Sequence, residues 1–239
     1  MPNWVISRIY ITGPEDKIKE FEDKVLDLSE GAEQVFSFNR LCPRPEELVN
    51  TSSPDPRPIK QKIRTPDGVE MEVDVYPAVI NEWEISRAIA AGETPPEPIP
   101  CNNATAEQQE ELRKKYGSSN WYDWNNNNWG TKWDANESFY NKEDKMLQFE
   151  TAWSAPGPIH QKMAEMFPDL TFQGSYADED FGFNAGNIED GEIYPLKGQS
   201  EEAYETAATL WGYEGYFDDD KGKWIFEGDC VDLNEDEDE

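Results

Sequence analysis

At 239 residues, with hydrophobic side chains at 36% and charged ones at 30%, the chain exceeds a usual domain of ~100–150 residues, so it holds either two domains or one body with a large insertion. Fifty-one acidic against 21 basic residues leave a net charge of −30; this field repels nucleic acid and anionic membrane surfaces, disfavours direct DNA or RNA binding, and attracts basic protein surfaces. No apolar run approaches the ~20 residues that span a bilayer, Met1-Pro2-Asn3-Trp4 lacks the basic and apolar regions of a leader, and Cys42, Cys101 and Cys230 match neither a disulfide framework nor a metal-ligand spacing.

These features lead us to expect a cytoplasmic chain with reduced thiols and no membrane contact. Aromatics at 13%, nine of them Trp, are few but bulky enough to fill a core.

In chain order, Trp4–Ile11 is β-branched and aromatic and predicts a strand. Thr12-Gly-Pro-Glu15 then gives a T-x-x-E start signal, followed by a helix with Ile18, Phe21, Val25 and Leu26 on one face. Gly31 is a stop, and Val35–Phe38 alternates as a second strand before Pro43 and Pro45. Pro54, Pro56 and Pro58, a short helical stretch Asn81–Ala91, and the Pro-rich Thr94–Pro100 mark an insertion. Thr105–Tyr116 reads as an exposed helix, acidic at its start and basic at its end.

Beyond an aromatic block, Met146–Trp153 alternates with Leu147, Phe149, Thr151 and Trp153 on one face, and Pro156-Gly-Pro158 opens a helix carrying Ile159, Met163, Met166 and Phe167. Leu170–Tyr176 is the next strand, so the order β-α-β, insertion, β-α-β describes an α+β, ferredoxin-like sandwich of one antiparallel sheet and two helices. Ser200–Trp211 is a capped helix, and Gly215–Phe226 a hairpin around an Asp/Lys/Gly turn. The expected organisation is a core of residues 1–45 and 146–190, a helical Pro- and Trp-rich insertion at 46–145, an acidic helix-hairpin extension at 191–233, and a disordered acidic tail at 234–239.

The stretch Tyr116-Gly-Ser-Ser-Asn-Trp-Tyr-Asp-Trp-Asn-Asn-Asn-Asn-Trp-Gly-Thr-Lys-Trp-Asp-Ala135, with Phe149–Ser154, Phe167-Pro-Asp-Leu170, the opening Met-Pro-Asn-Trp-Val5 and Cys42–Leu48, resembles the YubB-like proteins of bacteriophages and plasmids. The resemblance covers roughly residues 1–190. It implies a ferredoxin-like domain with an inserted helical segment, encoded on a mobile element and working in the bacterial cytoplasm, and it carries over no catalytic residues. Where members tend to have a Cys after Trp-Tyr-Asp-Trp, this chain has Asn125–Asn128.

Two places are candidate sites. From Asp178 onward there are 21 acidic and three basic residues, which read as a solvated surface, a cation site, or a phosphate-mimicking surface aimed at a basic groove. Asp218-Asp-Asp-Lys-Gly-Lys-Trp lacks an EF-hand register, so no metal is assigned. Mimicry requires acids on ordered structure, and Glu201, Glu202 and Glu205 on the helix, with Glu214, Asp218, Asp219, Asp220 and Glu227 on the hairpin, meet that expectation. The second place is aromatic: Trp121, Trp124, Trp129 and Trp133, joined by Trp153, form either core packing or a cage for a cation or a base.

His160, beside Pro158, reads as a surface residue. No nucleophile motif, P-loop or G-x-G-x-x-G follows a strand, so no catalytic residues and no cofactor are assigned. The expectation is a non-catalytic binding protein whose partner is a host protein with a basic nucleic-acid-binding surface, with restriction or CRISPR effectors as the leading class. A small-ligand or nucleotide-binding module built on the Trp-rich segment, or a scaffold in a phage complex, is the alternative.

Overall fold

The computed structural model describes residues 3–32, 34–51, 53, 59–64, 70–75 and 106–227. In chain order its elements are β1 (Trp4–Thr12), α1 (Glu15–Val25), a 3-10 turn (Phe38–Arg40), α2 (Glu46–Val49), β2 (Ile59–Arg64), β3 (Glu70–Val75), α3 (Ala106–Tyr116) and α4 (Trp121–Asn128). Then come β4 (Asn136–Asn141), β5 (Met146–Ala152), α5 (Gly157–Met166), β6 (Thr171–Asp178), β7 (Ala185–Glu189), β8 (Glu192–Pro195), α6 (Glu201–Trp211), β9 (Gly215–Asp218) and β10 (Lys223–Phe226). The chain forms two compact units, one of residues Met1–Cys42 with Asn128–Glu239, the other Pro43–Asn127.

The first unit is built on a six-stranded sheet in the order β4-β5-β1-β6-β7-β8, antiparallel throughout. Period-2 alternation along β1 sends Val5, Ser7, Ile9 and Ile11 to one face, where all are buried. The strands β6-β1-β5-β4, with α1 after β1 and α5 after β5, are the ferredoxin-like arrangement expected from the sequence. Phe21 of α1 packs 5.2 Å from Phe167 at the end of α5 and 5.7 Å from Phe172 of β6, so helices and sheet share one core.

The other face of the sheet carries Ile6, Ala177 and Ala185, and α6 covers them with Ala203, Ala207 and Leu210. Small residues on both sides let the helix lie close to the strands. The hairpin β9-β10 is a separate two-stranded ribbon, joined to α6 through aromatic contacts.

The structure departs from the sequence pattern at three places. Thr12 does not cap α1: Pro14 occupies the N-cap position and no side chain bonds the helix start. Val35–Phe38 is not a strand, because Phe36 makes only one bridge, to Leu26, and the chain then tightens into the 3-10 turn; the sheet position is filled by β4, further along the chain. Trp153 does not continue the buried face of β5. It adopts a left-handed backbone at φ 65° and turns outward, 48% exposed.

The second unit contains the antiparallel hairpin β2-β3, with Ile59 opposite Val75 and Arg64 opposite Glu70, in a segment read from sequence as irregular or helical. In α3, Lys115 pairs with Glu47 at 2.8 Å, and Tyr116 also donates to that carboxylate. Asn120 caps α4 by accepting from the Asp123 amide at 2.9 Å. The stretch Asn81–Ala91, the Pro-rich 94–100, Cys101, Cys230 and the tail 234–239 lie outside the described residues.

Candidate functional site

The acidic end is ordered by identifiable contacts. Ser200 caps α6 by accepting from the Ala203 amide at 3.2 Å, and Gly212 closes it in the left-handed conformation at φ 74°. Arg8 of β1 donates to the last carbonyls of the helix, Thr209 at 3.4 Å and Leu210 at 3.3 Å, where a cation also complements the helix dipole. Trp211 Nε1 donates to the Asp178 carbonyl at 3.1 Å.

Beneath the hairpin, Phe181 is surrounded by Tyr204, Tyr213, Trp224 and Phe226 at ring separations of 5.1–5.9 Å. Tyr204 also meets Phe217 at 5.7 Å. Gly182 is required beside this cluster, since its φ is 82° and a Cβ there would lie 2.4 Å from the Tyr204 ring.

The eight predicted acids divide into three places. Glu201 and Glu202 stand exposed in the first turn of α6, where the dipole favours them. Glu205, Glu214 and Glu227 come together along an open groove of about 570 Å³, with Tyr213 and Trp224 in its wall. Asp219 and Asp220 are exposed at the hairpin turn, while Asp218 is partly buried and accepts from the Asp220 and Lys221 amides at 3.1 Å each, so it holds the turn. Glu201 and Glu205, at i and i+4 on α6, repel one another by ~0.2–0.5 kcal/mol.

The five predicted tryptophans do not act as one group. Trp121 and Trp124 belong to α4, where Trp124 is buried and Trp121 meets Tyr122 edge-on at 5.8 Å. Trp129 is core, 1% exposed, against Phe38 at 5.7 Å with Nε1 donating to the Cys42 carbonyl at 2.9 Å. Trp133 and Trp153 are different: they stack at 6.2 Å and are 37% and 48% exposed. Trp4, not foreseen as part of a site, adds a third indole 6.1 Å from Trp133; its place at the start of β1, beside the end of β5, is a consequence of pairing that no local pattern carries.

His160 is a core residue and not the surface residue its sequence position suggests. It is 1% exposed, packs 6.1 Å from Phe149, and among the described residues neither ring nitrogen finds a partner. Burial pulls its pKa down to about 3, so the imidazole is neutral. Cys42 is half-buried, and burial pushes its thiol up, opposed by Lys162; such a thiol is a poor nucleophile at neutral pH. Among the described residues no group of three or more His, Cys, Asp or Glu is placed to hold a metal ion, and no helix is long and apolar enough to cross a membrane.

Residues 128–214 match the family described as the ferredoxin-like domain in Api92-like protein. That match takes in β4, β5, α5 and β6 of the ferredoxin-like core, the added strands β7 and β8, and α6. The sheet unit is thus similar to a ferredoxin-like family. No curated protein and no solved structure matches the chain.

Proposed function

We propose that this chain is a non-catalytic binding protein encoded on a bacteriophage or plasmid, which inhibits a host nucleic-acid-handling defence factor of the restriction or CRISPR class through a DNA-like acidic surface. The observation that carries the reading is that the acids of α6 and the β9-β10 hairpin stand on ordered, capped and aromatic-clamped structure. A partner then meets prearranged charge and spends little free energy on ordering it. The net charge of −30 adds long-range attraction toward basic grooves. Tagged protein incubated with bacterial lysate at low and high salt, beside a variant neutralised at Glu201, Glu202, Glu205, Asp218, Asp219 and Asp220, tests this. A DNA- or RNA-handling protein is expected at low salt only, and lost with the variant; an identical partner for both proteins contradicts it.

A second reading, a small-ligand module, is favoured by the exposed stack of Trp133 and Trp153. It requires a response to metabolites that neutralising the acidic end leaves intact.

A further inference from the structure

We infer that the indole ladder Trp4-Trp133-Trp153, flanked by Glu137, Glu150 and Glu179, is a docking site for an arginine side chain of a protein partner. The inference deepens the reading of a basic partner and rests on it for the partner's class, but it concerns a surface separate from the acids of α6 and the hairpin.

Leu147, Phe149 and Thr151 are all fully buried, and continued alternation would bury Trp153 with them. The strand ends at Ala152, the Trp153 amide donates to the Asn3 carbonyl at 2.9 Å, and the residue takes φ 65°. A bulky L-residue is strained there, and the result is an indole half in water. Strain and exposure together place this ring for something outside the fold.

The Lys132 ammonium lies 4.4 Å from the Trp133 ring and 5.2 Å from the Trp153 ring. The faces therefore already hold a cation supplied by the chain itself.

On the α6 face of the sheet, Ile6 is opposite Glu150 and Trp4 opposite Ala152, which puts Trp4 diagonal to Glu150. Glu179 donates its amide to the Trp4 carbonyl at 2.9 Å. Burial pushes the half-buried Glu150 carboxyl up; a hydrogen bond from Asn136 opposes this, and the neighbouring Glu137 and Glu179 charges add to the rise. These three acids repel a phosphate-bearing or nucleotide ligand, and they favour a cation over a neutral sugar. Arginine suits the place better than lysine, because its guanidinium is planar, stacks on indole and reaches carboxylates with a fork of donors.

The test follows the indole N–H signals of the full-length protein while acetyl-Arg-Gly-Arg amide is added, beside a lysine peptide of equal charge. Saturable shifts at Trp133 and Trp153, stronger for arginine, are expected; Trp153→Leu weakens binding about two- to fivefold, the scale of an exposed cation–π contact, and Glu150→Gln weakens it by up to about fivefold, the scale of an exposed ion pair. Lys132→Met, which vacates the ring faces, tightens it. Equal responses to the two peptides, no loss in Trp153→Leu, or unchanged or weaker binding in Lys132→Met would overturn the inference. The variant neutralised at the acidic end keeps the arginine response if this site is real, so a failure of the DNA-mimic reading and a failure of this one are told apart.

Discussion

His160 sits on α5 among apolar side chains with its imidazole neutral, its pKa drawn from the ordinary 6.5 to about 3 by burial. The unfolded chain takes up a proton near pH 6.5 that the folded chain refuses until about pH 3, so this residue removes stability progressively as pH falls through that window. His160→Leu is expected to flatten the decline, and chemical denaturation of both proteins between neutral and acidic pH checks it; parallel profiles would contradict the assignment. Trp153 makes a complementary case. Trp153→Gly relieves left-handed strain of ~1–2 kcal/mol and forfeits stacking of ~0.5–1.5 kcal/mol, so its melting temperature should stay near that of the parent. Trp129→Ala, at a buried indole whose Nε1 is bonded, should cost ~3–5 kcal/mol. Neither burial of His160 nor exposure of Trp153 was legible in the sequence. A polar residue next to Pro158 looks solvent-facing until the helix docks, and an alternating pattern gives no sign of the residue at which the backbone leaves it.

At the scale of elements, α6 depends on both of its ends. Ser200→Ala removes the cap and should cost about 1 kcal/mol, while Arg8→Met removes the cation that accompanies the C-terminal carbonyls and the bond to Gln148 at 2.9 Å. Urea denaturation of each variant checks these losses; a hairpin still protected from amide exchange in both would show that β9-β10 does not rely on the helix. This helix was readable because the Ser200 cap and the Ala/Leu stripe agree with one another, and the sandwich because Trp4–Ile11 is β-branched and aromatic while Met146–Ala152 and Leu170–Tyr176 alternate. By contrast β4 was hidden: its register shifts between Asn136 and Phe139, and Glu137 takes φ 42°, which breaks the period-2 signal. The hairpin β2-β3 could have been found, since Ile59, Gln61 and Ile63, then Met71, Val73 and Val75, alternate with charged residues.

For the whole molecule, the imbalance of acid over base is the dominant property, and nearly all of it must be solvated or neutralised by a partner. Charge of one sign on ordered elements governs association rate and salt dependence more than contact area does. The acidic side chains were legible one by one, but their grouping was not: Glu205, Glu214 and Glu227 meet on one groove only because the hairpin folds back onto α6. Competition measures DNA mimicry most directly: double-stranded DNA is added to the immobilised protein holding its captured partner at low salt. DNA and this protein are expected to exclude one another, with release of the partner in proportion to DNA occupancy; a stable complex of all three, formed without loss of affinity, would contradict mimicry.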